Sequence, residues 1–243
     1  MEPIYRQTFS VTNQDVDRFG RLRPSTILYF AQEIAGQHCF ELALDYDTLA
    51  KKRLFWAVIR HRVQITRLPL SGEEITLETW PMPTTRVAYP RSTVAFDAQG
   101  NELFRSVSLW VLMDLDTRAM ILPGKSGVLV EGTLRGTELT PPNSLVPKTL
   151  SSTGRRTVCF TDLDRNGHMN NARYLDWIAD LLPSAFHQDH PYREFTVCYL
   201  QEAREGQTLE LNWELQDGPR LQVDAHRESG GKQERVFAAS VLL

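Results

Sequence analysis

The sequence predicts an α+β protein in which one folding unit occurs twice along 243 residues. The first observation is a repeated segment: DVDRFGRL at 15–22 returns as DLDRNGHM at 162–169. The second is a weaker echo, in which LPLSGEEITLETW from Leu68 matches EAREGQTLELNW from Glu202. The third is that each copy is followed by helix-like and then strand-like spacing of apolar residues. A duplicated helix-and-sheet unit explains all three.

Each copy of the repeat leads into a predicted helix with one apolar face. In the first half this helix covers 27–44 and follows Pro24, a residue favoured in the first helical turn. Its apolar face consists of Ile27, Phe30, Ala31 and Ile34. In the second half the helix ends before Pro183. Its apolar face consists of Tyr174, Trp177, Ile178 and Leu181.

Strands are predicted where apolar and polar residues alternate. The first half has this pattern in EITLETW and LFRSVSLWVLMDLDTR, and the second in TLELNWEL, LQVDAH and RVFAASVLL. We expect an N-terminal domain at 1–124, a glycine- and proline-rich linker at 125–150 with one short strand in GVLVEG, and a C-terminal domain at 151–243. Two antiparallel sheets, each wrapped around a long helix and joined as a pseudo-dimer, resemble the tandem (double) hot-dog fold.

Composition narrows the class of partner. A net charge of −3 provides no overall basic field, so nucleic acid and membrane surfaces are poor candidates as partners. Three widely separated cysteines fit neither a disulfide framework nor a zinc site. The start of the chain shows no signal sequence, and the sequence contains no nucleotide-binding glycine loop. We therefore expect a cytoplasmic protein with no metal and no cofactor.

Differences between the two copies indicate where the chemistry lies. Residues kept for packing should recur in both copies, whereas catalytic residues can be confined to one. The aspartates, one arginine and one glycine recur. Three polar residues occur only in the second copy: Asn166 stands opposite Phe19, His168 opposite Arg21 and Glu202 opposite Leu68. The second half is therefore the candidate catalytic half.

The spacing Asp164-x-Asn166-x-His168 directs three polar side chains to one side of an extended backbone. A carboxylate that accepts a proton from water, next to groups that orient the water, can hydrolyse an acyl carbonyl without a covalent intermediate. Turns before helices are also rich in Asp and Asn for capping alone. Asp162 is interpreted as such a turn residue, and Asp164 remains open between the two roles because the first half retains its counterpart. Cys159 and Cys198 lie in apolar, strand-like runs and are expected to be buried rather than nucleophilic.

The segment DLDRNGHMNNARYLDWI, followed about thirty residues later by YLQEA, resembles the acyl-acyl-carrier-protein (acyl-ACP) thioesterases of bacteria and plant plastids. The resemblance covers the whole chain. It implies a tandem hot-dog fold and hydrolysis of the thioester that joins a fatty acyl chain to the phosphopantetheine of acyl carrier protein. It places the catalytic residues of the family on Asp164, Asn166, His168 and Glu202. Ala203 occupies a position that is often cysteine in plant members, which favours attack by water.

The same resemblance implies an acyl-chain pocket largely in the first half. The predicted substrate-binding residues are Trp56, Ile27, Phe30, Ile34 and Asn171. An acidic carrier protein requires basic residues for docking. The candidates are Lys51, Lys52, Arg53, Arg165 and Arg173. An acyl-CoA thioesterase or a hydratase on the same fold, and a noncatalytic acyl-binding regulator, remain alternatives, and the sequence leaves monomer and homodimer both open.

Overall fold

The computed structural model describes residues 3–243. The chain divides into two compact units, with the boundary between Pro141 and Pro142. Each unit is an antiparallel sheet accompanied by helices, as the duplicated sequence pattern predicts.

Residues 3–141 of the first unit form six strands and three helices. The strands are β1 (Tyr5–Ser10), β2 (Leu54–Ile65), β3 (Glu74–Pro81), β4 (Tyr89–Phe96), β5 (Glu102–Asp114) and β6 (Met120–Ile121). The helices are α1 (Pro24–Glu41), α2 (Tyr46–Ala50) and α3 (Pro123–Ser126). All of the pairings are antiparallel, in the order β1-β3-β4-β5-β2, with β6 added to β5.

Helix α1 is the long helix predicted for the first half. Pro24 occupies its first turn, where the fixed φ of proline suits the helix and its missing N–H is not needed. Ile27 and Ile34 are fully buried, and the ring of Phe30 stacks on Phe9 of β1 with 4.8 Å between centroids. The helix packs against β1 and β3. No helix within residues 3–243 combines the length and apolar character required to cross a membrane.

The second unit contains five strands and two short helices. The strands are β7 (Ser152–Thr157), β8 (Glu194–Tyr199), β9 (Thr208–Gln216), β10 (Arg220–Ser229) and β11 (Lys232–Leu242). The helices are α4 (Arg173–Ala179) and α5 (Ser184–Asp189). The sheet order is β8-β11-β10-β9-β7, again antiparallel throughout.

The helix of the second unit is shorter than the sequence predicts. Helix α4 has 7 residues, whereas α1 has 18. The predicted apolar residues Tyr174, Trp177 and Ile178 are buried, and the Tyr174 ring meets Phe237 of β11 edge-on at 4.7 Å. Pro183 then starts the separate helix α5. Proline lacks an N–H and restricts the preceding residue, so one continuous helix cannot pass through this position.

The glycine- and proline-rich segment has no helix or strand between Gly127 and Ser151, including the predicted strand in GVLVEG. Its first part nevertheless packs on the first unit: Leu139 joins a core cluster with Trp80, and the Trp80 Nε1 donates to Glu138 at 3.1 Å. A Cβ added at Gly132 would overlap the backbone of Met82. Only glycine allows so close an approach of two backbone segments.

Candidate functional site

The DLDRNGHM segment forms a tight turn built around Asp164. The Asp164 carboxylate accepts the backbone N–H of Asn166 at 2.8 Å and that of His168 at 3.2 Å. The turn closes when the Asp164 N–H donates to the carbonyl of His168 at 2.7 Å. Gly167 supplies the positive φ of +73° that this turn requires.

The first unit contains the same turn without the same side chains. The Asp17 carboxylate accepts the N–H groups of Phe19 and Arg21 at 2.8 and 3.1 Å, and Gly20 has a φ of +75°. Asp15 likewise matches Asp162 in accepting the N–H of the residue three positions earlier. These aspartates therefore organise the backbone in both units, which gives Asp164 a structural role in addition to any chemical one.

Glu202 meets His168 through backbone pairing. The N–H of Met169 donates to the carbonyl of Ala203 at 2.8 Å, and His168 forms an isolated bridge with Arg204. This pairing brings the His168 Nε2 to 3.2 Å from the Glu202 Oε2. The pair is partly solvated, since the side chains are 13% and 34% exposed. Two polar residues that are 34 positions apart thus form one acid–base pair.

Cations and a tyrosine surround the pair. Arg227 donates to the Glu202 carbonyl at 2.6 Å, and the Arg204 guanidinium lies 3.7 Å from the Glu202 carboxylate. Burial raises the pKa of Tyr174, and the nearby Glu202 and Asp164 carboxylates raise it further. Tyr174 therefore stays neutral near these carboxylates. Tyr174 and Arg227 occur in ordinary helix and strand patterns, so the sequence alone gives no sign that they lie near this pair.

The two predicted asparagines lie at the edges of this constellation. Asn166 is on the exposed tip of the turn, two residues before His168. Asn171 accepts the Tyr199 hydroxyl through its backbone carbonyl at 3.1 Å. The helix entrance is fixed instead by Asn170, whose side chain accepts the N–H of Ala172 at 2.9 Å. Asn166 and His168 therefore lie on the same turn, whereas Asn171 contacts Tyr199 through its backbone carbonyl.

The first unit contains a mainly apolar cavity of about 280 Å³. Its wall includes the predicted residue Trp56, whose ring meets Tyr89 edge-on at 5.0 Å. The other predicted lining residues do not form this wall: Ile27, Phe30 and Ile34 lie on the opposite side of α1 from the cavity-facing positions. Those positions are Gln32, Ala35, Gly36 and Cys39. At 3.6 residues per turn the two sets cannot share a face, so the apolar helix pattern identified the packed face rather than the cavity.

The predicted docking residues differ in their surroundings. Lys51 and Lys52 are exposed after α2, and Arg165 is exposed in the turn. Arg53 forms an ion pair with Asp116 through its Nε at 2.8 Å. Arg173 pairs with Asp176 at 3.0 Å. Pairing with a carboxylate of the same chain makes these last two arginines weaker candidates for an acidic partner.

The two cysteines of the second unit differ in burial. Cys198 is 1% exposed, as expected, and its Sγ donates to the Asn143 carbonyl at 3.8 Å. Cys159 is exposed next to the turn rather than buried, because the apolar run around it ends in the 3₁₀ turn Phe160–Asp162.

Comparison with known proteins identifies the family. A family model described as the acyl-ACP thioesterase N-terminal domain matches residues 2–122, and one described as the acyl-ACP thioesterase C-terminal domain matches residues 147–236. The chain belongs to the acyl-ACP thioesterase family. Its fold is accordingly the tandem hot-dog that the sequence predicts, with one hot-dog domain in each unit.

Curated relatives in this family are plant proteins of the chloroplast. A palmitoyl-acyl carrier protein thioesterase of Gossypium hirsutum is 25% identical over 223 residues, covering 85% of this chain and 54% of that protein. A dodecanoyl-[acyl-carrier-protein] hydrolase of Cinnamomum camphora is 25% identical over 214 residues, covering 82% and 56%. The chain thus spans about half the length of the curated relatives it matches.

Solved structures of the family share the fold. An acyl-ACP thioesterase from Bacteroides thetaiotaomicron superimposes with a TM-score of 0.86 at 24% identity, covering 99% of this chain and 97% of the other. The 12:0-ACP thioesterase from Umbellularia californica gives a TM-score of 0.83 at 22% identity, covering 100% and 97%.

Proposed function

We propose that this chain hydrolyses the thioester of fatty acyl-ACP and releases the free fatty acid. The observation that carries the proposal is the 3.2 Å contact between His168 Nε2 and Glu202 Oε2, in the C-terminal unit of a chain of this family. At the matching positions the first unit has Arg21 and Leu68, whose side chains differ chemically from histidine and glutamate.

In the proposed mechanism Glu202 is the general base. A water molecule attacks the thioester carbonyl carbon while the Glu202 carboxylate accepts its proton. The carbon–sulfur bond then breaks, and the thiol of the carrier leaves with that proton. His168 orients the water or the carbonyl, and Asn166 holds the thioester in register.

We assign Asp164 primarily to positioning. One of its carboxylate oxygens already accepts two backbone N–H groups, as the matching oxygen of Asp17 does in the unit without a predicted catalyst. By holding the turn, Asp164 fixes the place of His168 opposite Glu202. The Glu202 carboxylate instead lies 3.2 Å from the His168 Nε2 and is 34% exposed, a position that suits proton transfer with water.

The cavity of the first unit is the proposed site for the acyl chain. Trp56, Tyr89 and Trp110 provide an apolar wall, and a volume of about 280 Å³ is near the lower end of typical small-molecule pockets, roughly 300–1,000 Å³. We propose that Lys51, Lys52 and Arg165 contribute to docking the acidic carrier, with Arg53 and Arg173 contributing less because of their internal ion pairs.

The test is hydrolysis of acyl-ACP and acyl-CoA thioesters of matched chain length by the purified full chain. We expect a higher kcat/KM with acyl-ACP, and loss of turnover with intact folding in His168→Ala. A preference for acyl-CoA would refute the carrier-protein assignment. Intact thioester after prolonged incubation, together with tight binding, would refute catalysis and support a noncatalytic acyl-binding protein.

A further inference from the structure

Glu202 lies in a loop whose backbone the first unit repeats. In the second unit this loop covers 200–207, and its counterpart in the first unit covers 66–73. Each loop has the same closing hydrogen bond of 3.1 Å, from the N–H of its last residue to the carbonyl three residues earlier. The residue before the last is a glycine of positive φ in both, Gly206 at +79° and Gly72 at +89°. Differences between the two loops therefore lie in their side chains.

In the first unit an arginine within the loop holds it together. Arg67 donates from Nη1 and Nη2 to the two carboxylate oxygens of Glu73, at 2.7 and 2.9 Å. The same carboxylate accepts the N–H of Leu70 at 3.1 Å. The Arg67 Nη1 lies 3.5 Å from the carbonyl of Leu68, the residue that matches Glu202. At this distance the guanidinium holds the carbonyl of Leu68 only weakly.

In the second unit the arginine comes from outside the loop. Gln201 and Gln207 stand at the positions of the arginine and the glutamate of the first loop. Arg227 of β10 donates from Nη1 to the Gln207 Oε1 at 2.9 Å and to the Glu202 carbonyl at 2.6 Å. The bond to the Glu202 carbonyl is thus much shorter than the 3.5 Å contact in the first loop. The arginine of the second unit grips the backbone of the proposed base itself.

Glu234 of β11 fixes the direction of this guanidinium. Arg227 and Glu234 are opposite each other in the register of β10 and β11. The Glu234 Oε2 accepts the Arg227 Nε at 3.0 Å and lies 2.9 Å from its Nη2. A guanidinium is planar, so holding two of its nitrogens on one carboxylate sets the direction of the third. The Nη1 group is therefore directed at the loop before any substrate binds.

We propose that Arg227 is a positioning residue for Glu202, which holds the Glu202 carbonyl and thereby fixes the carboxylate against His168. The proposal rests on the role of Glu202 as general base given above. A catalytic group displaced by about 1 Å can lower the rate about 100-fold. The first loop carries a leucine at this position, and its arginine makes an ion pair within the loop instead. The short bond to the carbonyl thus accompanies the residue that has a carboxylate to place.

The test compares Arg227→Gln with Arg67→Gln, which removes the corresponding guanidinium from the first unit. With acyl-ACP as substrate, Arg227→Gln should lower kcat at least tenfold and keep KM within threefold, because the substrate binds but the base is displaced. Arg67→Gln should keep kcat within twofold while losing a similar amount of stability in urea. A folded Arg227→Gln protein whose kcat falls less than tenfold, or equal losses of kcat in both variants, would overturn the proposal.

A second readout needs no turnover. Withdrawal of the Glu202 carboxylate should shift the nitrogen NMR signal of the His168 Nε2, and Glu202→Gln defines the full size of that shift. We expect at least half of it in Arg227→Gln and none in Arg67→Gln. An unshifted signal in Arg227→Gln would overturn the positioning role even if the wild-type chain hydrolyses acyl-ACP. The expected shifts in a chain without turnover would support the positioning role and count against the proposed function alone.

Glu234→Ala provides a further variant if Arg227→Gln does not fold. The Glu234 side chain is 38% exposed, so its removal releases Arg227 without opening the core. We expect kcat at least threefold lower with KM unchanged. The matched control Glu228→Ala, which removes an exposed carboxylate next to Arg227, should stay within twofold of the wild type. A smaller than threefold loss in Glu234→Ala would then overturn the proposal.

Discussion

Replacement of Glu202 by glutamine removes the proposed general base with almost no change in shape. Loss of a general base lowers kcat by about 100- to 10,000-fold, equivalent to about 3–5 kcal/mol of transition-state stabilisation. The effect on folding is expected to be small, because the Glu202 side chain is 34% exposed and lies 3.2 Å from His168. A partly solvated pair of this kind contributes about 0.2–1 kcal/mol, which corresponds to at most about 4 °C in Tm.

The assay measures kcat and KM with one acyl-ACP, alongside thermal unfolding followed by circular dichroism. Glu205→Gln provides the matched control, since Glu205 is an exposed carboxylate three residues later on the same loop. We expect the control to retain kcat within twofold and Glu202→Gln to lose at least 100-fold in kcat with little change in KM. A folded Glu202→Gln protein that kept more than a tenth of the wild-type kcat would place the base elsewhere.

Three further predictions concern stability. Asp164→Ala and Asp17→Ala should each lower the free energy of unfolding in urea by about 1–3 kcal/mol, since each removes two hydrogen bonds to backbone N–H groups. Only Asp164→Ala should lower kcat more than tenfold. An Asp17→Ala variant as stable as the wild type would contradict the shared turn. Gly132→Ala should lower the free energy of unfolding by about 1–3 kcal/mol, because the added methyl group overlaps the backbone of Met82. Gly124→Ala has open space at its Cβ and should leave the stability unchanged. Equal effects of the two substitutions would show that the close approach is absent. Burial lowers the pKa of His61 to about 3. As the pH falls below about 6.5, this histidine is therefore protonated in the unfolded chain but not in the folded one, and about 2 kcal/mol of stability should be lost between pH 7 and 5. His61→Phe should remove this loss, and an unchanged dependence of stability on pH in that variant would refute the assignment.

Much of the fold could be predicted because the duplicated pattern has one buried face per element. The predicted strands correspond to β3, β5, β9, β10 and β11. Strand β4 was missed because it is buried on both faces and carries polar residues, so apolar and polar positions do not alternate. Strand β7 was missed for the opposite reason, since STGRRT has no apolar face.

The candidate site, like the fold, could be predicted from the sequence only in part. Self-comparison identified His168 and Glu202 as the positions where the second copy departs from the first, and the structure brings their side chains together. The contact between Arg227 and Glu202 has no such signal, because these residues belong to β10 and to a loop and meet only in the folded unit. Cavity-facing residues of α1 were also missed, since Gln32 and Gly36 are not apolar and give no periodic pattern.

The turn around Asp17 has a consequence for how new catalysts arise in this architecture. The backbone of this turn matches that of the turn around Asp164, and the first unit carries different side chains at positions 19, 21 and 68. Phe19 and Arg21 are partly exposed on the turn, so asparagine and histidine at these positions would keep contact with solvent. The third, Leu68, is only 8% exposed, so a glutamate there would have to be buried. Loss of solvation would therefore oppose a catalytic glutamate at this position of the first unit.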